Sequence, residues 1–427
     1  MHTCGLLCCF SALMILSSVL PPGVNGCDVA HSICGAHAPG DVVIGIMLPC
    51  HHKVKGINER IRPENFLCSD FDLQSFLKSL AIIHEIEEIN ASGFLPGVHL
   101  GYMLCDTCSY ASKALQDVGH MLEVNNTLNV KCDYTDFRPT VKIILGALYS
   151  EESIALARLL NVYMVPLLSA TSSSPELSDK LRYPVFLRTI PSDSHQTKAV
   201  AKLLHHYNWN WVGVVYGDDD YGKAAYESFL KDAEANDVCV AYRKVLPHNL
   251  DDSDLREGIQ QVAQQIRSSS AQVVLLILKR SLVEVLFKEM IRTNTSRIWI
   301  ASDVWSRSSS LATIDDINKV GDILGFTFVA SKSESFDNYL KNLTATPGGY
   351  NYFIEEYKNL RFNCSSECFS NNPPSHSVDT SETFLSKVAV WAVANALKKL
   401  LKCNSSSCAG EINFPPWEVR IDLYISF

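Results

Sequence analysis

The chain has 427 residues, a formal net charge of −9, 47% hydrophobic and 19% charged residues, and fifteen cysteines. That length supplies about two or three domains with cores of real size. The mild negative balance excludes the basic footprint of a nucleic-acid binder.

From the N-terminus, Leu6 to Leu20 is an apolar run of signal-peptide length, too short to span a bilayer. Pro21, Pro22 and Gly23 break it, and Val24-Asn25-Gly26 offers small residues for cleavage before Cys27. Residues 1–26 therefore read as a secretory signal, although its first residues lack Lys and Arg; a membrane anchor is the rival reading. Cys4, Cys8 and Cys9 leave with it, and an oxidising lumen would pair most of the others. Sequons at Asn90, Asn125, Asn294, Asn342, Asn363 and Asn404 agree with secretion. No later apolar run is long enough to cross a membrane, so the processed chain is expected to be soluble and secreted or lumenal.

Beyond residue 40, β-rich apolar runs alternate with amphipathic helices. Strands are predicted over 41–49, 98–106, 141–146 and 164–169, with helices over 71–89, 109–124 and 151–160 between them. The pattern restarts after Pro191. Helices are predicted over 195–206, 221–236, 254–268 and 281–293, and strands over 211–217, 239–246, 271–278 and 297–302. Helices over 351–360 and 381–401 follow, separated by a Ser/Asn/Pro-rich loop over 361–380. Alternating strands and helices imply parallel sheets covered on both faces. Two such runs joined by chain crossings describe an α/β clamshell: lobe 1 over 27–188, lobe 2 over 189–320, and a return to lobe 1 over 321–420. Ligands of open α/β sheets sit at the carboxyl ends of the strands, which in a clamshell face one cleft.

Those strand ends are polar: LYSEES (148–153), SATSSSP (169–175), RTIPSDSHQ (188–196), DDDYG (218–222) and SDVWS (302–306). A helix starting beside Ser150 offers free N–H groups and a positive dipole end to a carboxylate. Hydroxyls of Ser150, Thr171 and Ser173 could complete that site, and Asp193 and Asp303 could hold an ammonium. Any one of these residues could equally be an ordinary helix cap. Five clusters at five strand ends favour a site for a free α-amino acid.

The strings FLRTIPSD (186–193), WNWVGVVYGDDDYG (209–222), EANDVCVA (234–241), IWIASDVWS (298–306) and LPGVHLGYMLCDTCS (95–109) resemble the extracellular Venus-flytrap domain of class C G-protein-coupled receptors. The likeness is strongest to the amino-acid-sensing group 6 branch, then to calcium-sensing and taste receptors, and covers about residues 40–420. It implies that Ser150 and Ser173 bind the ligand α-carboxylate, with Thr171 and Ser172 assisting. Asp193 and Asp303 would lie near the α-amino group, and Tyr221 would meet the ammonium on closure. It implies the disulfides Cys68–Cys108, Cys364–Cys368 and Cys403–Cys408, and an inter-subunit bridge at Cys132 in a homodimer that meets through lobe 1. Full-length receptors of this kind sit in the plasma membrane and signal through a G protein from a seven-helix domain. The likeness fades after FPPWEV (414–419), so residues 420–427 read as a divergent end of a truncated form. Cys239 matches a cysteine that bonds to an absent cysteine-rich domain. A secreted soluble amino-acid-binding protein, or a decoy isoform, is the alternative. Group 6 receptors favour basic amino acids. Asp379 and Glu382 are candidates for the far end of such a ligand, whereas the basic stretch LPCHHKVKG (48–56) would repel it.

Three other readings carry less. Asp218, Asp219 and Asp220 in a row cannot converge on one ion, so a dedicated calcium site is set aside, leaving only a weak calcium contact and no other cofactor. His51-His52 and His205-His206 point apart on strand or helix and read as structural, and Trp209 and Trp211 read as core packing. No catalytic elbow, phosphate loop or dinucleotide fingerprint occurs, so no enzymatic activity is expected.

Overall fold

Residues 34–420 of the chain are described in a computed structural model, apart from 125–126, 129, 132–135, 251 and 363–378. The first lobe is a seven-stranded sheet in the order β14-β1-β5-β2-β6-β7-β8. Strands β2 (Val42–Leu48), β5 (Leu100–Asp106), β6 (Val141–Gly146), β7 (Leu167–Ser169) and β8 (Phe186–Arg188) run parallel. β1 (Ala36–Ala38) pairs antiparallel with both β5 and β14 (Tyr350–Asn351). The strings VVIGIML and VKIILG are almost continuously buried, as a sheet covered on both faces requires.

Helix α1 (Leu73–Ser92) covers one face. It begins where the Asp72 carboxylate accepts from Gln74 N, and it ends at Gly93, which adopts a left-handed φ of 64°. Helices α2 (Ala111–Leu122) and α3 (Ser150–Tyr163) cover the other face.

The second lobe is a five-stranded parallel sheet in the order β10-β9-β11-β12-β13: β9 (Trp211–Gly217), β10 (Cys239–Leu246), β11 (Val273–Ile277), β12 (Ile298–Ala301) and β13 (Ile323–Gly325). Helices α4 (Asp193–His206) and α5 (Asp220–Glu234) bury Val200, Leu204 and Phe229 against one side. Helices α6 (Leu255–Ser268) and α7 (Arg280–Arg292) bury Ile259, Val262 and Leu286 against the other. The chain then returns. A short helix α8 (Glu334–Lys341), α9 (Tyr352–Phe362) and α10 (Phe384–Leu400) place Phe336, Phe353, Ile354 and Val390 in the first-lobe core beside α1.

Several elements depart from the sequence reading. Helix α1 starts at Leu73, because Phe71 closes an antiparallel hairpin of β3 (His51–Val54) and β4 (Cys68–Phe71). These strands carry no apolar alternation, and neither do β1, β8, β13 or β14, each two or three residues long. Trp211 is not core: it stands at the first position of β9, 49% exposed, with its Nε1 donating to Ser270 Oγ. Trp209 stacks on Tyr207 at a centroid distance of 4.9 Å. The cysteines pair as Cys34–Cys105, Cys68–Cys108 and Cys403–Cys408; the first of these was not anticipated. Cys50 is buried and unpaired, and Cys239 is exposed and unpaired. Cys132, Cys364, Cys368, Asn125, Asn363 and the signal segment lie outside the described residues. Asn294, Asn342 and Asn404 are exposed. The Asn90 amide is engaged on both sides by the Leu100 backbone, at 2.9 and 2.8 Å.

Candidate ligand-binding site

On the first lobe, two strand-end loops are knitted together by hydroxyls. Ser169 Oγ donates to Ala147 O at 2.8 Å and Thr171 Oγ1 to Leu148 O at 2.8 Å. Ser153 and Ser172 share a bond of 2.7 Å, and Ser150 Oγ accepts from Ser174 N at 3.1 Å. Ser150, Ser172 and Ser173 are buried. This lacework fixes the loop at 169–174 over the N-terminus of α3, whose first N–H groups have no partner within the helix. Ser173 Oγ then donates to Asp193 Oδ2 at 2.9 Å, tying the loop to the first residue of α4.

On the second lobe, the three consecutive Asp side chains go three ways. Asp219 caps α5 by accepting from Gly222 N at 3.2 Å. Asp218 accepts from His248 N at 2.8 Å and bonds its ring Nδ1 at 2.7 Å. Asp220 opens the helix. Tyr221, on the first turn of α5, is buried with its hydroxyl unpartnered. Past the end of β12, Ser302 Oγ is also buried and unpartnered. Asp303 Oδ1 accepts from Gln196 Nε2 at 3.0 Å.

Asp193 is the centre of this arrangement. It is 1% exposed, and its Oδ1 has no partner. Burial, then the charge of Asp303, raises its pKa well above the usual carboxylate value. Asp303 is raised too, by burial first, with its hydrogen bond to Gln196 opposing. Burial and then these two carboxylates raise Tyr221 well above a free phenol. Arg188 near Asp193 and Lys78 near Asp303 offset only part of this, so the buried Asp193, the half-buried Asp303 and the phenol form a spot that favours a proton or a ligand ammonium.

A cavity of about 140 Å³ opens beside this cluster, between the lobes. Of the expected residues, Thr171, Asp303 and Glu382 line it, while Ser150, Ser172, Ser173, Asp193 and Tyr221 do not. Ion pairs bridge the cleft around it. Arg280 Nη2 of α7 reaches Asp72 Oδ1 at 3.1 Å, and Arg307 Nη2 reaches Asp379 Oδ2 at 2.6 Å. Lys279 Nζ sits 4.4 Å from the centre of the Tyr149 ring, and His248 Nε2 lies 3.4 Å from Glu151. Sequence reasoning missed Asp72, Lys78, Arg280 and Arg307, because their neighbours are remote: Arg280 and Asp72 are separated by 208 positions.

Two expectations for the far end of the ligand change. Asp379 is engaged by Arg307 and by Ser381 N, at 3.0 Å, so it is not free for a ligand. The stretch 48–56 does not line this cavity. Its His51 is buried between Asp106 (2.5 Å) and Glu356 (3.0 Å). Burial pulls that imidazole down, but hydrogen bonds to the two carboxylates outweigh it and hold it at about 9. Its positive charge is paired locally with these two carboxylates.

The sequence model for "Receptor family ligand binding region" matches residues 77–425. The human protein called G-protein coupled receptor family C group 6 member A is 34% identical over 97% of this chain and 48% of its own length. The pig extracellular calcium-sensing receptor is 35% identical over 82% of this chain and 32% of its own length. Human taste receptor type 1 member 3 is 31% identical over 90% of this chain and 47% of its own length. The chain thus spans about half or less of the curated relatives it matches.

Proposed function

We propose a function from one premise: the chain belongs to the receptor family ligand binding region, and within it to the class C G-protein-coupled receptors. It is a ligand-binding ectodomain of that family, with the two-lobed α/β fold this implies. Our finer reading is that the ligand is a free L-α-amino acid and that the chain binds rather than transforms it. The relatives are receptors, and among the described residues no helix is long and apolar enough to cross a membrane. In our reading the chain works on the extracellular side of the plasma membrane.

The observation that carries this reading is the unpartnered Oδ1 of buried Asp193, beside Asp303 and the unpartnered hydroxyl of Tyr221. An ammonium there would satisfy both carboxylates. The ligand carboxylate would lie at the N-terminus of α3, held by Ser150 and the 171–173 loop, with its side chain directed into the cavity. Such a ligand touches both lobes, so it binds the closed cleft better than the open one. A ligand shifts a conformational equilibrium only by that difference. In the full receptor, closure would turn two subunits joined through lobe 1 and Cys132 and pass the signal to the membrane domain and its G protein.

Calorimetry with the twenty amino acids tests the reading. Binding is expected for the parent chain and is expected to be lost or weakened about 100-fold in Asp193→Asn. Equal affinity of parent and variant would overturn it.

A further inference from the structure

The cavity is lined by three cationic side chains, Lys78, Arg280 and Arg307, and three anionic ones, Asp72, Asp303 and Glu382, and they do not all pair with one another. Arg280 is held by Asp72, and Arg307 by Asp379. Lys78 of α1 and Glu382 of the turn before α10 remain. Both line the cavity, and neither side chain makes a hydrogen bond or ion pair with another described residue. They do feel each other: for Lys78, whose pKa burial lowers, Glu382 is the foremost opposing charge. For Glu382, whose pKa burial raises, Lys78 is the foremost opposing charge. Each is a partly desolvated group aimed at the same space and lacking a direct partner.

The chemistry of the missing partner follows from this pair. A basic ligand side chain would add a cation beside Lys78, Arg280 and Arg307. An acidic one would add an anion beside Glu382 and Asp303. Either would satisfy one wall and leave the other wall's charge buried and unpaired, the expensive outcome. A group that both accepts and donates satisfies both walls: its oxygen accepts from the Lys78 ammonium, and its N–H or O–H donates to Glu382. The same cavity is lined in part by apolar side chains, among them Leu148, Ile190 and Leu385, which suits a short hydrocarbon stem.

We infer that Lys78 and Glu382 are the specificity-determining pair of this site, and that its ligand is an α-amino acid whose uncharged side chain ends in a carboxamide or hydroxyl. The inference rests on the amino-acid reading above and replaces the expectation of a basic ligand.

The test uses glutamine, glutamate, lysine and glycine as probes, in calorimetry with the parent chain, Lys78→Met and Glu382→Gln. Glutamine should bind the parent at least about tenfold tighter than glutamate or lysine. Lys78→Met should move the preference toward lysine, and Glu382→Gln toward glutamate, each by about tenfold. Lys78→Gln serves if the methionine variant melts early. Tightest binding of lysine or glutamate to the parent would overturn the inference, as would an order of affinities that neither variant changes. Glycine separates the two levels. If glycine binds and responds to Asp193→Asn while the side-chain order is unaltered, only the specificity assignment fails. If none of the probes binds the parent, the amino-acid reading fails and the assignment with it.

Discussion

The two faces of the cleft are finished to different degrees. On the first lobe, the hydroxyls of Ser150, Thr171, Ser172 and Ser173 already have protein partners at 2.7 to 3.1 Å. On the second, the hydroxyls of Tyr221 and Ser302 have none, and Asp193, where the chain crosses between the lobes, has one bare oxygen. The first face is preset and its geometry does not wait for a ligand. The second holds buried polar groups with unused hydrogen-bonding capacity, whose desolvation a ligand would offset. In the reading proposed above, this asymmetry would give closure its direction: the ligand would dock on the finished face, and the unfinished face would gain most when the cleft shuts.

The comparison can be broken most forcefully at the ion pair that joins the faces. Arg280→Ala takes the guanidinium from the buried Asp72 carboxylate, and Asp72 also caps α1 through Gln74 N and Ser75 Oγ. Burial raises the pKa of Asp72, but Arg280 and His52 outweigh that and hold it at about 2. Breaking a buried pair from one side costs about 3 kcal/mol. The expected result is a lower unfolding midpoint in urea and a wider cleft, read as a larger radius of gyration by small-angle scattering. An unchanged midpoint and radius would show that the faces are not held together here.

Next in size is Asp193→Asn, which should separate binding from stability. Its folded pKa is raised above the ordinary 3.8, so at neutral pH, above the unfolded value, the ionised group disfavours the fold. The variant should therefore melt higher than the parent while losing about 100-fold in amino-acid affinity. A variant that melts lower would mean that Asp193 serves mainly to anchor Ser173.

The same group sets the pH dependence of binding. The ligand-free pKa values of Asp193 and Asp303 are both raised, and an ammonium beside them lowers them, so binding releases protons. Affinity should fall as the pH drops below neutral, by up to about tenfold per pH unit for each proton released. Calorimetry in two buffers of different ionisation enthalpy counts the protons; zero or net uptake would contradict the assignment.

Long, strongly periodic elements were legible in the sequence: β2, β6, β9 and β11 as apolar runs, and α1, α5, α6 and α7 as apolar stripes. So was the neighbourhood of the site, because hydroxyls and carboxylates at strand ends stand out. What was not legible depends on three-dimensional closure. The hairpin of β3 and β4 is made of polar residues whose register is set by pairing, not by periodicity. Cys34 meets Cys105 only because β1 lies beside β5. Asp379 and Glu382 look interchangeable in the string DTSET, and only Arg307 from the other lobe tells them apart. The stretch LPCHHKVKG is basic in the sequence, but only the fold shows that His51 is enclosed by Asp106 and Glu356 and that the stretch does not line the cavity.

The smallest effect is expected on the finished face, and it is the sharpest check on the asymmetry. Ser150 Oγ already accepts from Ser174 N, so removing it loosens the 169–174 loop as well as withdrawing one donor from the ligand carboxylate. A neutral hydrogen bond of this kind contributes about 1 kcal/mol net. Ser150→Ala should therefore weaken amino-acid binding by only about five- to tenfold, against about 100-fold for Asp193→Asn. It should also lower the melting temperature, where the Asp193 variant raises it. Opposite signs in stability, with losses of unequal size in affinity, are what a preset face and an uncompensated face require. If Ser150→Ala instead abolished binding with no change in melting, the first lobe would be the face completed by the ligand, and the order of docking and closure drawn from the hydroxyl lacework would reverse.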